Sequence, residues 1–295
     1  MLLLKFAALA GVSYGHIALT KPCPAFSPFC ETKPALPPGA SYDYDIKSPI
    51  PYDGPLTKTD RLWPEPVETW TAGEDVTIKF MSQSASHGGG SLAIGLGFTS
   101  GGPSVMIFQR LRHAFFNGPS SSNTAEVLEY TFKLPADVPS CDNAVISMVF
   151  FNRLGVREMY HLTSNVKITS NSGTTSFTGP QMVIANHAGY PTIPESDDYD
   201  IATGVSLFEN APNITISMNG GYSAGGSAPP KYEAPAPSNV QPIASPAPVE
   251  SPVPSSTAPL PLAPAVPTTA DYAGNPAPAA PTYQARVAPI PAKCK

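Results

Sequence analysis

The run Ala144-Val-Ile-Ser-Met-Val-Phe-Phe151 carries only one polar side chain. It is far too short to cross a bilayer, which takes about 20 apolar residues in a helix, but it suits a central strand buried on both faces. Its neighbours have the complementary pattern. Val76-Thr-Ile-Lys-Phe80 alternates apolar and polar, and Leu128, Tyr130, Phe132 and Leu134 oppose Glu129, Thr131 and Lys133. Successive side chains of a strand point to opposite faces, so each of these runs has one face for a core and one for water. Further short runs lie at Leu92–Phe98, Val105–Leu111, Asn165–Thr169, Gln181–Ala185 and Ile214–Met218. Gly, Pro, Asn and Ser separate them, and no long helical period interrupts the series. The expected fold is all-β: an immunoglobulin/fibronectin-like β-sandwich core with long loops. The Pro-rich stretch to about Pro66 is expected to be irregular and packed over the sheets.

Composition bounds the folded part. From Ala228 onward the chain holds 18 of its 37 prolines among Ala, Ser, Val and Thr. Such a segment cannot bury enough surface to offset chain entropy. The expected organisation is residues 1–15 as a signal peptide, 16–220 as the β-sandwich domain, and 221–295 as a disordered Pro/Ala/Ser-rich tail. The formal charge of −5 argues against a nucleic-acid partner, and no later stretch is apolar enough for a membrane span. Four cysteines, Cys23, Cys30, Cys141 and Cys294, are expected to pair in an oxidising compartment, with three connectivities open. Asn213-Ile-Thr is an acceptor sequon for N-glycosylation.

The start, MLLLKFAALAGVSYG, has an apolar segment followed by small residues at Ser13 and Gly15, a pattern for cleavage before His16. Cleavage there leaves a histidine whose α-amine titrates near neutrality and whose ring offers a second nitrogen. With a second imidazole these make a three-nitrogen set suited to copper. Of the five histidines, His87 stands in SASHGGGS, where the glycine run is expected to leave an open approach to the ring. In FFNRLGVREMYHL, strand alternation puts Glu158 and Tyr160 on one face and His161 on the other. Tyr160 then caps the metal with Glu158 behind it; in the plainer alternative Tyr160 is a core-edge aromatic and Glu158 pairs with Arg153 or Arg157. Phe115, Phe116 and Tyr190 could stack on sugar rings, although core or loop packing serves each of them as well.

Together SYGHIALTKPCP, SASHGGGS, FNRLGVREMY and GPQMVIANHAGY resemble, in order, the fungal lytic polysaccharide monooxygenases of the chitin-active auxiliary-activity family eleven. The resemblance spans about residues 16 to 218, one domain's length. It implies a histidine brace for one copper ion on His16 (amine and ring) and His87, with Tyr160 in the axial position. It further implies Glu158 as the acid beside the metal and Ala85 as the small residue crowding the axial side. The family's usual cysteine after HGGGS is replaced by Leu92, so the disulfide framework and the substrate-facing surface differ. The implied protein is a secreted monomer, free or associated with the cell wall, that oxidatively cleaves an insoluble polysaccharide such as chitin. It would use an external electron donor and dioxygen or hydrogen peroxide, with no nucleic acid or membrane as partner. Two other readings stay open: a non-catalytic copper-binding protein with the same brace, and a structural cell-wall protein.

Overall fold

The computed structural model describes residues 16–57, 61–82, 84–224 and 294. The expected signal segment and nearly all of the expected tail lie outside these residues. The order of elements is β1 (Leu19–Lys21), β2 (Thr69–Thr71), β3 (Asp75–Phe80), β4 (Gly90–Gly97), β5 (Val105–Arg110), β6 (Glu129–Lys133), β7 (Cys141–Asn152), β8 (Met159–Thr169) and β9 (Ser176–Pro180). Two single-turn helices follow, α1 (Tyr199–Ala202) and α2 (Val205–Glu209), then β10 (Asn213–Ser217) and β11 (Tyr222–Ala224). Paired strands thus run past the domain boundary expected at residue 220.

Three sheets form an all-β sandwich. The largest has the order β2-β8-β7-β4-β5, faced by β1-β3-β6, with β9, β10 and β11 forming the third. All pairings are antiparallel except β2 with β8. The alternation expected in the sequence decides what each face buries. Leu92, Ile94, Leu96, Ile146, Met148, Phe150, Tyr160 and Leu162 point into the main core with Val76, Ile78 and Phe80 of the facing sheet. Their neighbours Ala93, Val149, Phe151 and Met159 point the other way, under a layer that contributes Ile50, Val183, Ala185, Ile193 and Phe208. That second layer is why Ala144–Phe151 is apolar on both faces. Covering the central strands twice removes apolar surface worth about 1.5–3 kcal/mol per large side chain.

The described residues up to Pro66 are irregular apart from β1, as expected, and lie against β8. Ala25 donates to the carbonyl of Thr163, Ile50 to Met159 and Val67 to Asn165. Trp63 is fully buried against Phe26 and the disulfide Cys23–Cys30. The second disulfide joins Cys141, at the start of β7, to Cys294. Of the three connectivities the sequence left open, this is the one formed.

One expected strand is absent. Gln181–Ala185 makes a single bridge, Gln181 to Val105, and then runs irregularly over the outer face of the large sheet. Val183 and Ala185 are buried there by side-chain packing, so alternation survives without a strand partner.

His161 lies on that outer face, as alternation requires, pairing across with Val149. Burial pulls its imidazole down from 6.5 to about 4. The unfolded chain therefore takes up a proton where the folded chain does not. His161 contributes its full stability above the unfolded value, and the contribution is lost as pH falls from about 6.5 towards 4, by at most about 3 kcal/mol. Urea midpoints measured between neutral pH and about pH 4 should show this slope, and His161→Leu should flatten it.

Candidate metal centre

Four chain segments meet at one end of the sandwich. His16 sits just before β1 and bridges in parallel to Ala85, which itself bridges to Thr124. The carbonyl of Ala18 accepts from Met81, so β1 and the segment after β3 are held side by side. This brings the rings of His16 and His87 to 5.3 Å between centroids, stacked at 28°. One ring nitrogen of each histidine and a carboxylate oxygen of Glu158 lie within 4.8 Å of one another. An ion bound at about 2 Å from each of two opposed nitrogens would hold them about 4 Å apart, so this spacing fits a metal.

Tyr160, the second residue of β8, is both core and site. Its ring is 1% exposed and packs 5.6 Å from Phe150, while its hydroxyl donates to Oε2 of Glu158 at 2.6 Å. The same hydroxyl is 3.4 Å from Nε2 of His87. Burial, then the hydrogen bond to Glu158, push the phenol far above its ordinary range, so it stays protonated and donating. The His87 imidazole is lowered, first by burial and then by facing His16, with Glu158 acting against them. A neutral imidazole is the form a metal needs.

Glu158 forms no ion pair with Arg153 or Arg157 among the described residues. Its peptide is clamped instead: its N–H donates to Asn152 Oδ1, and its carbonyl accepts from Asn186 Nδ2. Asn152 also donates to the carbonyls of Leu154 and Val156, so one buried amide shapes the whole turn that aims Glu158. Arg153 spans the neighbouring loops, donating to Gly88 and Ser120 carbonyls with its guanidinium over the Tyr199 ring.

The glycine run has another role than the one expected. Gly88, Gly89 and Gly90 are buried, and a side chain on them would point into the protein. A Cβ on Gly88 would meet Leu154 at 2.6 Å, and one on Gly90 the carbonyl oxygen of Phe151 at 1.9 Å. The run lets the backbone turn tightly beneath the ring of His87.

The loop around residues 120–124, which sequence reasoning left unassigned, walls this turn. Ser86 donates to the Asn123 carbonyl, Gly88 to Ser122, and His87, at φ 49°, to the side-chain Oδ1 of Asn123 at 2.9 Å. A histidine in the left-handed region is uncommon, and these bonds fix it there. Of the three candidate surface aromatics, Phe115 and Phe116 are buried in the core and Tyr190 is exposed.

No family model matches the chain. A search of curated proteins matches the AA11 family lytic polysaccharide monooxygenase A of Aspergillus fumigatus, 28% identical over 185 residues, covering 60% of this chain and 77% of that protein. The chain resembles an AA11 lytic polysaccharide monooxygenase. The AA11 likeness is the one anticipated from the motifs around His16, His87 and Tyr160. Among solved structures, a cellulose-active polysaccharide monooxygenase from M. thermophila matches at a TM-score of 0.29 and HiLPMO9B at 0.28, both 15% identical. These matches cover 45% and 37% of this chain and 64% and 53% of those chains, a likeness too slight to carry weight.

Proposed function

We propose that the chain is a secreted copper-dependent lytic polysaccharide monooxygenase acting on crystalline polysaccharide, chitin first. The observation that carries this reading is the meeting of His16, His87 and Glu158 donor atoms within 4.8 Å, with the Tyr160 hydroxyl against both Glu158 and His87. Cleavage before His16 adds its α-amine, so the two histidines supply three nitrogens, a set that suits copper better than oxygen-preferring ions. Bound copper supplies one-electron chemistry with dioxygen or hydrogen peroxide, fed by an external electron donor.

The chain's own residues do the rest. His16 and His87 hold the ion at the surface end of the sandwich, each partly exposed, where an insoluble polymer can reach it. Glu158 is the one carboxylate in the cluster, placed to hold or move a proton beside the histidines. Tyr160 donates to that carboxylate and keeps it aimed. Ala85, bridged to His16, keeps the intervening position small. A pure copper store has no use for the positioned carboxylate, which favours the catalytic reading over a carrier.

The test uses the secreted, N-terminally sequenced protein with copper, ascorbate and β-chitin, and mass spectrometry of the soluble fraction. Oxidised oligosaccharides are expected from the wild type and none from His87→Ala. Copper binding without products selects the carrier, and no copper binding rejects both. Asn123→Ala should weaken copper binding by about tenfold or more, since losing an outer partner of a ligand typically costs 10–100-fold. Asn123→Asp retains the acceptor for the His87 N–H and should recover most of that affinity; isothermal titration of copper reads both variants.

A further inference from the structure

The outer face of the large sheet holds a second feature, remote from the histidine pair in role and built of other side chains. A cavity of about 100 Å³ opens over β7 and β8, with Ser147, His161 and Thr163 on its floor and Ser104 at its side. All four are at least nine-tenths buried. The middle of a large sheet is where apolar residues are expected, and the same strands carry Val145, Val149 and Met159 beside them.

None of the four side chains makes a hydrogen bond among the described residues, and Nδ1 of His161 is buried without a partner. Leaving a buried polar group unpaired costs about 1–3 kcal/mol, a cost that falls here on Nδ1 of His161, while the three hydroxyls beside it are left to whatever fills the cavity. The rest of the lining is mostly apolar, including Leu56 and Met182, with Thr57, Thr99 and Gln181 adding neutral polar groups. Among the described residues no acidic, lysine or arginine side chain lines the cavity, so a charged occupant would find no counter-charge. One water takes about 10–15 Å³ of such space, so the volume admits several waters or one small molecule of similar bulk.

We infer that this cavity is a binding site for a small neutral polyhydroxylated molecule, a polyol or a single sugar ring. The hydroxyls of Ser104, Ser147 and Thr163 can each donate and accept, and the imidazole adds one nitrogen, Nε2, which matches the mixed demands of sugar hydroxyls. The apolar walls would cover the C–H faces that such a molecule also presents. The site is independent of the copper reading, because none of its polar residues touches the histidine pair.

The experiment follows the ring resonances of His161 by NMR in the full-length secreted protein during titration with glycerol, glucose or glucuronate. A saturable shift with glycerol or glucose and none with glucuronate is expected, and whichever neutral probe binds more tightly distinguishes a polyol site from a sugar site. Thr163→Val, which keeps the shape and removes one hydroxyl, should weaken binding roughly two- to tenfold, the effect of one hydrogen bond. Ser147→Leu should abolish it by filling the floor. If neither neutral probe shifts His161 saturably, or if glucuronate binds as well, the inference is overturned. Copper titration of the same samples is expected to be unchanged, which separates this result from the fate of the metal centre.

Discussion

An extra residue ahead of His16 is expected to lower copper affinity by more than about 100-fold relative to a protein that begins at His16. The loss of a partner outside the coordination shell already costs 10–100-fold, and here a ligand itself is removed. The extension turns the amine of His16 into a peptide nitrogen that no longer offers a lone pair, while both imidazoles stay where they are. Isothermal titration of the extended and the correctly processed proteins measures the difference directly. An extended protein that binds copper as tightly as the processed one would mean that the two rings and Glu158, already within 4.8 Å of one another, suffice alone.

Gly90→Ala is expected to be the most destabilising change in the glycine run. At φ 142° the residue is in a region closed to side chains, and the added Cβ would stand 1.9 Å from the carbonyl oxygen of Phe151 on the paired strand. Backbone strain and overpacking each cost about 1–3 kcal/mol, so the sum is about 3 kcal/mol or more, roughly 6–12 °C in the melting temperature of a domain this size. Gly155→Ala is the control: its φ is also positive, at 89°, but nothing lies within 4 Å of the added atom. It should cost only the strain, and thermal unfolding of the two variants separates contact from conformation. Equal losses would show that the close approach to Phe151 is relieved by a small shift of β4.

The strands were legible wherever burial is imposed on alternate residues. Val76–Phe80, Leu92–Phe98 and Val105–Leu111 lie within a residue or two of β3, β4 and β5, and Tyr160 and His161 separate onto opposite faces. Gln181–Ala185 has the same alternation but no strand beside it beyond Gln181, and whether a partner is present depends on contacts distant in the chain. β1, β2 and β11 are three residues each, too short to impose a period. The side chains of the candidate metal centre stand out in the sequence because their chemistry is distinctive. Their supports do not. Asn123, Asn152 and Asn186 act through side-chain hydrogen bonds to backbone groups brought near by folding, and any loop could carry such an amide. The glycines of SASHGGGS are ambiguous in the sequence, because a missing side chain signals either openness or crowding, and the positions of Leu154 and Phe151 show that crowding requires Gly88 and Gly90.

The bond between Cys141 and Cys294 changes what a protease can do to the proline-rich stretch. A nick anywhere between β11 and Cys294 would divide the polypeptide yet release nothing, and the fragments would part on a denaturing gel only after the thiols are freed. Because Cys141 begins β7 while Asn152, beside the histidines, ends it, that anchor lies at the far end of the strand from the surface that would meet the polymer.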